Sequence, residues 1–147
     1  MTGCMKYISV TARCAIQFHG DRLADLGLNG YQSSYILHLC RQPGISQERL
    51  AQRLHVNRSN VTRQLVLLER LGYVERRKSA DDRRVIEVHP TAKAIEALPR
   101  VRAVLREYSD YLCAEFTPAE TETLNALLER VAARAEARDA KRKEDAR

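Results

Sequence analysis

A mainly α fold of the α+β class, with helices flanking one short β-hairpin, is predicted from three observations. Apolar residues recur at three- and four-residue spacing along most of the chain, the period of a helix with one buried face. That period gives way to strand-like patterning in one place, residues 73–77 and 85–88 around a polar tip at 78–82. Turn formers separate the segments: Gly27 to Gly30, the Pro43–Gly44 pair, the Asn57 region and Gly72.

Each element follows from its residues. In residues 6–26, Ile8, Ala12, Ala15, His19, Leu23 and Leu26 form one stripe, with Tyr7, Thr11, Cys14 and Phe18 as a second beside it. Two adjacent seams exceed what a small core needs, so this helix is expected to meet a partner chain. Residues 31–40 form a more buried helix with Ile36, Leu37, Leu39 and Cys40 inward. Pro43 and Gly44 turn the chain, Ile45 anchors it, and Ser46 caps a short helix at 47–54. Residues 55–57 are a tight connector. Asn57 caps the helix 58–71, whose stripe is Val61, Leu65 and Leu68, and Gly72 ends it. The hairpin follows. Thr91 then caps a long helix to about residue 113, with the stripe Ile95, Leu98, Val101 or Arg102, Leu105, Tyr108 and Leu112. Pro99 is expected to bend or interrupt it. The sequence TPAE at 117–120 reads as a capping box with Pro in the first turn. The last helix runs through Leu124, Leu127, Leu128, Val131 and Ala135 into a charged tail expected to fray. Two short helices joined by a tight turn, then a basic hairpin, make a winged helix-turn-helix pattern with additional helices at both ends.

The chain has 147 residues, 44 % of them hydrophobic, which suits one domain with a real core. No segment is apolar for long enough to span a bilayer, and the start lacks the basic-then-apolar order of a signal peptide. The expectation is a cytoplasmic protein without membrane contact. The four cysteines have no close-pair spacing, so neither a zinc site nor another metal centre is expected, and free thiols are. No glycine-rich phosphate loop or nucleophile–base pair suggests an enzyme, and no cofactor is implied. Charge is more telling. Residues 41–84 hold eleven Arg/Lys against five Asp/Glu, net +6, while the rest holds fourteen of each. The whole positive excess therefore sits in the central segment, which points to a polyanion partner. A winged-helix adaptor for other proteins has no need of that concentration.

The stretch VNRSNVTRQLVLLERL, residues 56–71, opens with short polar side chains and two arginines before becoming a plain apolar-striped helix. In a helix-turn-helix the second helix enters the major groove with its N-terminal residues at the base edges. Arg63 and Asn60 are expected to read sequence, with Gln64 also long enough to reach bases, since Arg suits guanine and Asn or Gln suits adenine. Ser59 and Thr62 are expected at phosphates or base edges; for Thr62 a bond back to the carbonyl four residues earlier competes. On the hairpin, Arg76, Lys78, Arg83 and Arg84 are expected to meet the DNA backbone, with Asp82 pairing Arg84 to hold the wing's shape.

Residues 23–91, through VTRQLVLLERLGYVER, the Asp-Arg-Arg of the wing and VIEVHPT, resemble a MarR-family transcriptional regulator, and the flanking helices fit as well. Pro90 stands where that family usually has Leu, and Ala94 where it usually has Gly; neither lies on the DNA face. The resemblance implies a homodimer of interleaved terminal helices reading a pseudo-palindromic operator. The expected organisation is a dimerisation helix at 1–28, a winged DNA-binding domain at 29–91, dimerisation helices at 92–140 and a tail at 141–147. It also implies a repressor released by a small aromatic or phenolic ligand bound between dimer helices and winged domain. The candidates there are Arg13, Phe18, His19 and Arg22 with Tyr31 and Tyr35; Arg and His would meet a carboxylate and the rings would stack. For His19 a plain packing role competes. Some peroxide-sensing members use a cysteine near the start of the first helix, where Cys4 lies, so redox control is the alternative. Cys14 and Cys40 are expected to be packed away.

Overall fold

A computed structural model of the chain describes residues 3–145. The chain divides into two compact units, residues 1–108 and 109–147. The first holds α1 (Cys4–Arg22), a 3-10 turn at Ala24–Leu26, α2 (Gln32–Arg41), β1 (Ile45–Ser46), α3 (Gln47–Arg53), α4 (Arg58–Arg70), β2 (Val74–Lys78), β3 (Ile86–Pro90) and most of α5 (Ala92–Leu112). Its core joins Ile36 and Leu39 of α2, Leu50 of α3, Val61, Leu65 and Leu68 of α4, Val88 of β3 and Val101 of α5, all fully buried. The inward residues of the helix-turn-helix are the expected ones.

The sheet has one strand more than the hairpin. β3 is central, with β2 on one side and the two-residue β1 on the other, all antiparallel. Ile45 pairs with Val88 and Ser46 with Glu87. Two residues are too few to show a strand period, so the expected anchor at Ile45 was legible and its ladder was not.

Along α5 the buried line is Ala94, Ala97, Val101 and Val104. This corrects the expected stripe: Ile95 is 58 % exposed and Leu112 42 %. Large apolar side chains drew the expected stripe, whereas the face that packs on the core is set partly by two alanines. Because that buried line runs past residue 91, the first unit extends well beyond the wing. Pro99 lies inside α5 without interrupting it.

α1 buries no residue, although its backbone approaches the loop before α2 closely. A Cβ on buried Gly30 would lie 1.8 Å from the Ile16 carbonyl oxygen, so only glycine allows this contact.

In the second unit, α6 (Pro118–Asp145) opens with the expected capping box. Glu120 donates its amide to Thr117 Oγ1 at 3.3 Å, while Glu120 Oε2 accepts from the Thr117 amide at 2.8 Å. The expected fraying from residue 141 is corrected: the helix continues to Asp145. Good helix formers and an Asp139–Arg142 pair at 2.9 Å sustain it. Ala146 and Arg147, like Met1 and Thr2, lie outside the described residues. On α6, Leu127, Leu128 and Val131 are 40 to 50 % exposed.

Candidate nucleic-acid interface and the cavity behind it

Two caps set the helix-turn-helix. Ser46 Oγ accepts from the Arg49 amide at 3.2 Å at the start of α3. Asn57 Oδ1 accepts from the Asn60 amide at 2.8 Å at the start of α4. Between them His55 takes the left-handed conformation at φ 52°, which closes the turn. Ser59 Oγ also donates to Asn57 Oδ1 at 2.9 Å, so part of the polar opening stretch builds the helix end itself.

Burying Val61, Leu65 and Leu68 turns Arg58, Ser59, Thr62 and Arg63 outward, all exposed. Arg58 pairs with Glu48 of α3. Thr62 Oγ1 donates to the Arg58 carbonyl at 2.9 Å and accepts from Gln47 Nε2 at 2.6 Å, so the competing backbone bond is present. Asn60 is half-buried at the edge of this face. Gln64 is half-buried: its Oε1 accepts from Gln32 Nε2 at 3.2 Å and Asn29 Nδ2 at 3.5 Å, which turns it toward α2. Asn29 and Gln32 escaped sequence reading, although their signal was available. Asn29 Oδ1 accepts from the Gln32 amide at 3.2 Å, and Gln32 Oε1 accepts from the Asn29 amide at 2.9 Å, a capping box at N-x-x-Q spacing.

The wing's basic residues divide by role. Asp82 accepts from the Arg84 amide at 3.0 Å and from its guanidinium at 3.1 Å, as expected. That guanidinium holds the Asp82 carboxyl below its ordinary range. Arg84 nevertheless keeps its side chain 91 % exposed. Arg76 is engaged within the fold. It makes a forked pair with Glu69 Oε2 at 2.8 and 3.2 Å, its amide donates to Glu69 Oε1, and it is only a quarter exposed. It ties the wing to the end of α4, and it holds the Glu69 carboxyl low. Arg77, exposed, pairs with Glu75. Lys78 and Arg83 are exposed on the wing. The outward face thus offers Arg63 on the helix and Lys78, Arg83 and Arg84 on the wing, a geometry that fits a groove reader with phosphate contacts beside it.

Comparison with known proteins agrees. A family model described as MarR family matches residues 26–85. The "Uncharacterized HTH-type transcriptional regulator YybA" of Bacillus subtilis (strain 168) is 28 % identical, over 89 % of this chain and 87 % of that protein. The HTH-type transcriptional regulator PapX of Escherichia coli is 27 % identical, over 70 % of this chain and 63 % of its own length. A crystal structure of MarR superposes with a TM-score of 0.87 at 28 % identity, covering 95 % of both chains.

The chain is MarR-like in sequence over its winged segment and in fold over nearly its whole length. It is similar over most of its length to regulators of transcription, and a DNA-binding regulator is the function that likeness supports. No helix among the described residues is long and apolar enough to cross a membrane.

Behind α4 lies a cavity of about 390 Å³, entirely within the first unit. Of the six expected ligand contacts it gathers His19, Tyr31 and Tyr35, and it adds Asn60 and Gln64 from α4. The other three lie outside its lining. Phe18 stacks on Tyr108 at 4.8 Å between ring centroids. Arg22 is held by Glu107 at 2.7 Å. Arg13 is exposed and does not line the cavity. Long arginines on a helix face are easily assigned to a nearby crevice; partners in the folded chain decide where they go. Burial lowers the His19 pKa and raises that of Tyr35. Tyr35 is 3 % exposed, and its hydroxyl has no hydrogen-bond partner among the described residues.

Cys4 is exposed in the first turn of α1. Cys14 is exposed too, which corrects its expected packing, because the face it shares with Tyr7 and Thr11 is uncovered in one chain. Cys40 is half-buried rather than buried. Burial pushes its thiol up, and Arg102 partly opposes this.

Proposed function

We propose that this regulator is a repressor that binds a pseudo-palindromic operator as a homodimer and leaves it when a small aromatic or phenolic ligand fills the cavity behind α4. In this reading Arg63 and Asn60 contact bases, Ser59 and Thr62 contact phosphates or base edges, and Lys78, Arg83 and Arg84 contact the backbone. The observation that carries it is the capped, outward-facing start of α4, with exposed Arg63 beside a wing whose arginines project outward. α1 buries nothing and Tyr7 is 68 % exposed, which supports a second copy on its outer seam. The residue ranges 1–28 and 92–140 are then the dimerising segments.

The ligand acts through geometry. Two winged domains must present their recognition helices to successive major grooves, roughly 34 Å apart. A molecule that prefers the free protein's spacing lowers DNA affinity by that preference and no more. One observation favours a second trigger: Cys4 is exposed in the first turn of α1, where oxidation is sterically open. A single experiment covers both. An operator selected from random duplexes is bound by wild type, Arg63→Ala and Cys4→Ser, then titrated with a panel of phenolic compounds and with peroxide. Release by a phenolic compound from both wild type and Cys4→Ser supports the cavity. Release by peroxide alone, lost in Cys4→Ser, replaces it with the redox reading. Failure of the wild type to select any duplex defeats the DNA assignment.

A further inference from the structure

We propose that Glu48 restrains DNA binding: its carboxylate keeps the Arg58 guanidinium from the backbone phosphates and so sets a sequence-independent ceiling on affinity. The inference rests on the DNA-binding reading and names a residue that tunes it.

Within the basic segment 41–84, Glu69, Glu75, Asp82 and Glu48 each hold an arginine. Glu69 ties Arg76 of the wing to the end of α4, Glu75 and Arg77 lie two apart on β2, and Asp82 shapes the wing through Arg84. Glu48 differs from these. It lies in the first turn of α3 and takes Arg58, the first residue of α4.

That contact is on the outward side of α4, where Arg58, Ser59, Thr62 and Arg63 are all exposed. The first turn of α3 borders this face. Gln47 Nε2 donates to Thr62 Oγ1 at 2.6 Å, and the next residue, Glu48, accepts from the Arg58 guanidinium. Arg58 therefore stands beside Ser59 and Arg63 with its charge already answered.

Glu48, Arg58 and Arg84 also border one crevice of about 250 Å³ between α3, α4 and the wing, which has space for a phosphate group. The Arg58 side chain is 79 % exposed and meets Glu48 through one guanidinium nitrogen, whereas Arg76 meets Glu69 through two. An exposed single-point pair contributes little to stability. Its consequence lies in the charge it removes from the DNA-facing side. Exchanging the carboxylate for a phosphate would replace one charge-assisted bond by another and leave Glu48 unpaired beside a polyanion. The pair is therefore kept when DNA arrives, and Arg58 adds no phosphate contact while Glu48 is present.

The test is a double-mutant cycle on the full chain. Wild type, Glu48→Gln, Arg58→Ala and the double variant are titrated with an operator selected from random duplexes and with random duplex, at several salt concentrations. Glu48→Gln is expected to bind both duplexes more tightly by the same factor, about tenfold at 50 mM salt and about threefold at 200 mM, as one added phosphate contact dictates. Its salt slope should steepen by about 0.9. In the Arg58→Ala chain the same substitution should gain about threefold less. Melting temperatures should stay close to that of wild type, because the pair is exposed. Unchanged or weaker binding by Glu48→Gln overturns the proposal, and a lowered melting temperature with it would give the pair to the fold. A gain confined to the operator overturns it by making Arg58 a base reader. Equal gains with and without Arg58 overturn it by showing that Glu48 repels DNA directly. A wild type that binds neither duplex removes the DNA reading and the proposal together, whereas a wild type that binds both while Glu48→Gln gains nothing removes the proposal alone.

Discussion

The two sides of α4 are built on opposite terms. Its outer side at the N-terminus is exposed, polar and basic, with Arg58, Ser59, Thr62 and Arg63 in water. Its inner side faces a cavity with no Lys, Arg, Asp or Glu among the described lining residues, where Asn60 and Gln64 stand with apolar residues such as Ile16, Leu37 and Val56. Adjacent residues fall on different sides: Arg63 points out, and Gln64 is taken by Gln32 and Asn29. The difference teaches that one helix can turn a basic face to solvent and an uncharged face to a cavity, because the helical period places successive side chains about 100° apart.

The predictions test that division, the largest effect first. Gly30 borders the cavity where α1 passes closest, and a Cβ there would collide with the Ile16 carbonyl. Gly30→Ala is expected to destabilise the fold by ~3 kcal/mol, the upper range of overpacking, because backbone and not a flexible side chain must move. Denaturant unfolding measures this. A loss near zero would mean that α1 is free to lift away, and the cavity with it.

Next comes the outer side. Arg63→Ala should cost ~1–3 kcal/mol at one base position and little on random duplex. Arg83→Ala should weaken all sequences alike and reduce the salt slope by about 1. Competition binding at several salt concentrations separates the two, and equal losses on specific and random DNA for Arg63→Ala would move base reading elsewhere.

The inner side predicts a gain. Tyr35→Phe removes a buried hydroxyl that has no partner among the described residues, so stability should rise by ~1 kcal/mol. Thermal unfolding of the two proteins checks the sign. A loss of stability would show that the hydroxyl is satisfied in solution.

The smallest effect concerns Arg76. Its pair with Glu69 is partly exposed, so Arg76→Ala should lower stability by only ~0.5–1 kcal/mol. Its salt slope on DNA should match wild type, unlike that of Arg83→Ala. A reduced slope would return Arg76 to the outer, DNA-facing set.

Much of the winged fold was legible because local rules act over a few residues. Asn57 and Ser46 cap where short polar side chains precede a helix, Gly72 stops α4, and Val61, Leu65 and Leu68 recur at the helical period. The net charge of residues 41–84 needed only counting, and the pairing of Asp82 with Arg84 spans two positions. What the sequence determined by itself was therefore the order of the principal helices and the hairpin, the caps of the helix-turn-helix and the sign of its charge. Tertiary structure alone decided which arginines remain available and what the cavity contains. Arg76 and Gln64 resemble DNA contacts by type and position, yet Glu69 and Gln32 claim them, one from seven residues away and one from thirty-two. Arg22 meets Glu107 across eighty-five positions. Long polar side chains reach whichever partner folding brings near, and no local period encodes that choice. The absence of charge around Tyr35 arises in the same way, from segments that become neighbours only when α1, α2, α4 and α5 close around one space.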